Sequence, residues 1–213
     1  MIRKIVSVVG ILLLLTSLVL YASVFRVSRN FHVVDPGKLY RSAQLLPSEI
    51  ESIEQKYHIR TIINLRGGQA NAWWYQQEKK TSQELGIKLI NIGLSAQTVP
   101  DKSELLKYLS ALQTAPRPIL IHCRSGADRT SEGAAIYLMV IKHEPRSIAL
   151  KQLSIKYLHL QWFTPAELFF MKRFKGLRWA KTTYNPCSPV YKSYYDQQDF
   201  CPHLTPRIPP DSH

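Results

Sequence analysis

Hydrophobic and polar positions follow two regimes along the chain. Between Ile5 and Phe25 no residue is charged, and Ile11 to Leu15 is an unbroken apolar run. At ~1.5 Å per residue such a run is just long enough to cross the ~30 Å hydrocarbon layer of a bilayer. Arg3 and Lys4 precede it as in a signal anchor, and the small-residue spacing of a cleavage site is poor around Ala22 and Ser23. This pattern predicts an uncleaved transmembrane helix within residues 1–25. Beyond it, short apolar runs alternate with helical spacing. Residues 38–41 predict a short edge strand, 61–65 and 87–92 two further strands, and 118–121 a buried parallel strand. Residues 47–57 place Ile50, Ile53 and Tyr57 on one helical face, and 102–112 align Leu105, Leu109 and Leu112. Further helices are predicted over 73–85, with Gly86 as its cap, over 134–141 and over 147–153. Thr164-Pro165-Ala166-Glu167 has the form of a capping box with Pro at the first helical position, opening a last helix to about residue 175. The fold class expected is α/β, a central, mostly parallel sheet flanked by helices on both faces.

The pattern changes again after Asn185. Six of the 13 prolines lie between Pro186 and Pro210, among Tyr191, Tyr194 and Tyr195. The chain therefore divides into an anchor (1–25), a domain (26–181) and a Pro/Tyr-rich tail (182–213). Cys187 and Cys201 form a candidate disulfide, worth about 3 kcal/mol by loop entropy in an oxidising compartment.

Composition narrows the function class. A chain of 213 residues with 45% hydrophobic and 20% charged residues is globular, with room for one domain of ordinary size. Three cysteines are too few for a disulfide scaffold or a four-cysteine zinc site. The net charge of +13 suits an anionic partner: phosphate, nucleic acid or an anionic membrane. Nucleic acid fits poorly, because the basic residues are scattered and no known module is present. The basic run Lys172, Arg173, Lys175, Arg178 and Lys181 is expected as a solvated helix face.

One segment carries chemistry: His122-Cys123-Arg124-Ser125-Gly126-Ala127-Asp128-Arg129-Thr130, between a buried strand and a helix. At such a junction the loop N–H groups and the helix N-terminus form a concave anion site. Gly126 supplies the positive φ the curl needs, and Arg129 can grip two phosphate oxygens with its planar fork. Arg124, Ser125, Gly126, Ala127, Asp128 and Arg129 are thus the candidate phosphate binders. Cys123 lies in the same positive field, which favours a nucleophilic thiolate.

Cys-x5-Arg preceded by His and followed by Thr resembles the signature of the cysteine-dependent protein-tyrosine and dual-specificity phosphatases, most of all their bacterial dual-specificity branch. Leu39-Tyr40-Arg41-Ser42-Ala43-Gln44 and Asn64-Leu65-Arg66 look like that branch's upstream motifs, and the resemblance covers roughly residues 31–181. It implies that Cys123 attacks phosphorus to form a cysteinyl-phosphate. Arg129 would stabilise the transition state, Thr130 would steady the thiolate, and His122 would order the loop. It implies no metal and no cofactor. Two candidates stand for the general acid. Asp128 lies inside the loop, and Asp101 lies 22 positions before the cysteine, where with Glu104 it also forms a helix capping box. The chain departs from the family in having Ser131 where Gly is usual, and it lacks the loop lysine of lipid-directed relatives. The substrate expected is a phosphorylated protein, with a phospholipid or small-molecule phosphate as an alternative and a non-catalytic phosphate-binding module as another. The anchor and resemblance together predict a bacterial inner-membrane protein with its catalytic domain in the periplasm. At least one of Trp73 and Trp74 is expected in the core, and His159 is expected as a packed core residue.

Overall fold

The structure, a computed structural model, describes residues 9–17, 19, 28–195 and 201. Five strands, β1 (His32–Asp35), β2 (Leu39–Ser42), β3 (Thr61–Asn64), β4 (Lys88–Asn91) and β5 (Ile119–His122), form one sheet in the order β1-β2-β5-β3-β4. Only β1 runs antiparallel to its neighbour; β2, β5, β3 and β4 are mutually parallel. The α/β class with a mostly parallel sheet is therefore as expected. β5 lies at the centre because it is the most apolar segment. Its side chains alternate, Ile119 and Ile121 entering the larger core cluster and Leu120 the smaller one, so both faces are covered. The helices α1 (Pro47–Tyr57), α2 (Trp73–Glu84), α3 (Lys102–Thr114) and α4 (Asp128–Val140) supply that cover. Leu105, Leu109 and Leu112 of α3 and Ala134 to Leu138 of α4 fill the larger cluster, and Ile50 of α1 the smaller.

Several boundaries differ from the sequence pattern for identifiable reasons. β2 is internal, because His32–Asp35 adds an outer strand that its mixed polar pattern concealed. α4 begins at Asp128 rather than at residue 134, since the polar first turn belongs to the helix and to the loop together. Residues 147–153 resolve into α5 (Arg146–Ala149) and a 3-10 turn. The last predicted helix stops early, as α6 (Pro165–Met171), and a further helix that the pattern did not predict, α7 (Leu177–Thr182), follows Gly176 at φ 91°. Past α7 the chain packs against the domain. Tyr184, Tyr191 and Tyr195 are buried in the larger cluster, and Cys187 and Cys201 are joined by a disulfide with Cα atoms 5.6 Å apart.

The expected transmembrane helix is corrected. Among the described residues no helix is long and apolar enough to cross a membrane. Residues 9–17 are helical, and at ~1.5 Å per residue they span less than half of a ~30 Å hydrocarbon layer. The remainder of the expected span, residues 1–8, 18 and 20–25, lies outside the described residues. Membrane attachment through this segment, and the inner-membrane and periplasmic placement that followed from it, are not supported.

Candidate active site

The loop that follows β5 is shaped by one backbone requirement. Gly126 has φ +69°, and a Cβ there would lie 2.7 Å from the backbone of Ser42 and Ala43 at the end of β2. Gly37 shares φ +69° but has nothing within 4 Å of a Cβ, so the two separate backbone strain from close approach. Gly126→Ala is expected to cost about 2 kcal/mol or more in denaturant unfolding. Gly37→Ala carries only the strain and should cost clearly less; equal costs would show that the contact with β2 does not constrain the loop.

Beneath the loop sits Arg41, a fully buried guanidinium on β2. It donates to the Gly126 carbonyl (2.6 Å), to Ser131 Oγ (2.9 Å) and to Gln152 Oε1 (2.7 Å), and it stacks 4.0 Å from the Tyr157 ring centroid. Burial lowers its pKa to about 10, so it stays charged at neutral pH. Ser131, the departure from the family's usual Gly, therefore has a structural explanation: its hydroxyl accepts from Arg41. Asn30 Nδ2 donates to the Ser125 carbonyl (3.2 Å), and the Gln44 N–H to the Arg124 carbonyl (3.2 Å). With its carbonyls engaged in this way, the loop is fixed from outside. The N-cap residue Ala127 makes no side-chain cap, and N–H groups in a helix's first turn have no intrahelical acceptor, so those of α4 can serve an anion.

His122 ends β5 fully buried. Its Nε2 is 2.8 Å from Glu78 Oε1, itself only 2% exposed in its side chain. Glu78 also accepts from Gln44 (2.8 Å) and Asn64 (3.1 Å). Burial opposes its charge, yet the attraction and hydrogen bond of His122, with Gln44 and Arg66, hold its carboxyl below the ordinary value. Sequence reading missed Glu78, whose place in a polar stretch of α2 looks like solvent.

Cys123 follows, 1% exposed and unpaired. Arg66 reaches toward it, anchored by Gln44 Oε1 (3.0 Å) and lying 3.4 Å over the Trp74 ring. Burial first, then the nearby Arg129 and Arg124, hold Arg66 below its ordinary pKa, while the neighbouring Cys123 and Glu78 pull the other way. Thr130 is buried, Arg124 exposed, and Arg129 part-exposed with its Nε unpartnered among the described residues. Neither tryptophan is buried: Trp73 is 64% exposed, and Trp74 is half-buried beneath Arg66.

The two candidate acids separate clearly. Asp101 is the N-cap of α3, accepting from the N–H groups of Ser103 (2.7 Å) and Glu104 (3.2 Å). Asp128 opens α4 within the loop. Its Oδ1 is 3.2 Å from His159 Nδ1 and 3.5 Å from Thr164 Oγ1. His159 Nδ1 is in turn 3.3 Å from Glu167 Oε2, and the His159 and Glu167 side chains are 0% exposed. The Thr164–Glu167 pair is thus not a capping box: Thr164 makes no side-chain cap bond, and both residues turn toward Asp128 and His159. His159 is buried as expected, but among carboxylates rather than in purely apolar packing. A second buried acid, Glu132, stands one turn along α4; burial pushes it up to about 8. Burial, then Glu132 and Asp128, push Glu167 well above its ordinary value.

The sequence profile described as "DSP-PTPase phosphatase fused to NAD+ Kinase" matches residues 33–162, well over half of the chain. The dual specificity protein phosphatase TpbA of Pseudomonas aeruginosa (strain UCBPP-PA14) is 29% identical over 128 residues, covering 59% of this chain and 54% of TpbA. The chain thus matches about half the length of that relative. Two solved structures share the fold: P. aeruginosa TpbA in a cysteine variant bound to phosphotyrosine (24% identity, TM-score 0.54, 68% of this chain and 84% of that one) and the core catalytic domain of the PP-IP phosphatase SIW14 from S. cerevisiae with citrate (22% identity, TM-score 0.55, 68% and 85%). With the profile spanning β1 through the loop, α4 and His159, the chain belongs to the DSP-PTPase phosphatase family.

Proposed function

We propose that this chain hydrolyses phosphate monoesters through a cysteinyl-phosphate on Cys123, acting on phosphotyrosine or phosphoserine/threonine in proteins. The observation that supports it best is the loop itself: a free, buried cysteine opening a Gly126-curled, externally braced loop that carries Arg124 and Arg129, with Arg66 beside it. The phosphoryl group sits on the loop N–H groups and the fork of Arg129. The Cys123 thiolate attacks phosphorus as the P–O bond to the leaving oxygen breaks, and Asp128 gives that oxygen its proton. Asp128, now a carboxylate, takes a proton from water as the water attacks the cysteinyl-phosphate. The P–S bond breaks and the thiolate returns, steadied by Thr130. Arg129 and the N–H groups stabilise the charge in both transition states. His122, tied to Glu78, holds the start of the loop in place. The likeness to TpbA, solved with phosphotyrosine, favours a phosphoprotein substrate.

Acid quench during turnover of a phosphotyrosine peptide, followed by peptide mapping, tests the reaction. Phosphate is expected on the peptide that contains Cys123. Turnover with phosphate on no cysteine, or on another residue, would exclude the covalent mechanism.

A further inference from the structure

Behind Asp128 lies a buried polar group that the reaction as described does not use. His159 comes from the segment after the 3-10 turn Ile155–Tyr157, and Glu167 from α6. Both side chains are 0% exposed, and His159 Nδ1 is 3.2 Å from Asp128 Oδ1 and 3.3 Å from Glu167 Oε2. Such groups are costly to bury, and core packing does not need them. The backbone also departs from an unstrained path to place them. Leu158, immediately before His159, has φ +60°, a region that a branched side chain rarely adopts. Thr164 gives up its cap, and its hydroxyl donates to Asp128 instead. The strain and the abandoned cap both serve one end, the holding of the Asp128 carboxyl.

We propose that His159, backed by Glu167, is a positioning residue for Asp128, which fixes its carboxyl toward the leaving oxygen. The inference rests on the phosphatase reading given above. Its chemistry balances within the buried group. When Asp128 gives its proton to the leaving oxygen, the new carboxylate accepts a hydrogen bond from the Nδ1–H of His159. When Asp128 takes a proton from the attacking water it is again the neutral acid, so the proton lost to the leaving oxygen is replaced and no external acid is needed. Besides His159, the charged and titratable groups facing Glu167 are Glu132 of α4, Asp128 and Arg129 of its first turn, and Cys123 of the loop. Burial and the two acids favour a proton on Glu167, whereas Arg129 opposes it, and a neutral Glu167 leaves the Nδ1–H of His159 to Asp128.

The test compares a nitrophenyl phosphate, whose leaving group needs little acid help, with phenyl phosphate, whose leaving group needs it. In His159→Asn and in Glu167→Gln, kcat on phenyl phosphate should fall about 10- to 100-fold. On nitrophenyl phosphate kcat should stay within about threefold, with KM unchanged on both, because activated leaving groups depend little on the acid. The high-pH limb of the phenyl phosphate profile should move in both variants. Asp128→Asn should lower kcat on phenyl phosphate at least as much as His159→Asn does, and adding His159→Asn to it should cost nothing more. Proportional losses on both substrates, or no loss on either, would overturn the proposal. So would a wild-type rate on phenyl phosphate that falls on treatment with EDTA, because a bound cation would then join the three groups. If His159→Asn does not fold, the nearly isosteric Glu167→Gln decides alone. Failure of the phosphatase reading shows itself separately, as a wild type inactive on both substrates or a Cys123→Ser variant as active as wild type.

Discussion

Cys123→Ser will lower turnover of every phosphate ester by roughly 10⁴-fold or more, while the chain stays folded and keeps binding phosphate. The size of the effect follows from chemistry. The loop favours a sulfur anion, whereas a serine hydroxyl remains protonated there and has no base within the loop to activate it. The Nε2 of His122 is committed to Glu78 at 2.8 Å, so His122 does not serve as that base. The fold should tolerate the change. Sulfur and oxygen differ little in volume, and although Cys123 is buried at 1% exposure, loss of its apolar contacts should cost only about 1–2 kcal/mol. Phosphate affinity should persist, because Arg129 and the N–H groups of α4 hold the anion, and Arg41 and Asn30 brace the loop independently of the thiol. Calorimetric titration with inorganic phosphate, beside a rate assay and a thermal melt, checks all three statements. Loss of phosphate binding together with rate would mean that Cys123 shapes the loop rather than reacting.

What the sequence revealed and what it concealed divide along a physical line. The Cys123–Thr130 loop was legible because an anion site at a strand–helix junction is built from contiguous residues, and Gly126 marks its curl. β5 and β3 were legible because strands buried on both faces are continuous apolar runs. The groups that brace the loop were not, because each comes from a separate segment. Arg41 looks like a surface residue of a short edge strand, yet once β1 pairs outside β2 its guanidinium is sealed under Gly126. Glu78, Glu132 and Glu167 occupy helical positions where acids usually face water. α4 departs from that expectation because residues 130–138 are buried around its whole circumference. Thr164-x-x-Glu167 met the pattern of a cap, and only the approach of His159 and Asp128 in space gave those side chains another use.

Glu132 makes that burial measurable as a dependence of stability on pH. Its carboxyl is 0% exposed, and neither oxygen has a hydrogen-bond partner among the described residues. Burial pushes its pKa from 4.5 to about 8 in the folded chain. In the unfolded chain the same group loses its proton near the ordinary value. Between those two values the folded state therefore binds more protons than the unfolded one, and stability must fall as pH rises. The slope from this group is ~1.4 kcal/mol per pH unit, or roughly 4 kcal/mol between about pH 5 and about pH 8. Glu132→Gln keeps the shape and cannot ionise, so its stability should fall much less over that range. Some slope will remain, because Glu167 is held up by the same burial and contributes in the same direction. Guanidinium unfolding of both proteins at about pH 5, 6.5 and 8 gives the difference directly. The variant should gain on wild type by about 1 kcal/mol or more with each pH unit. A gap that stays constant, or narrows as pH rises, would mean that Glu132 is already ionised in the folded chain and has a counter-charge beside it.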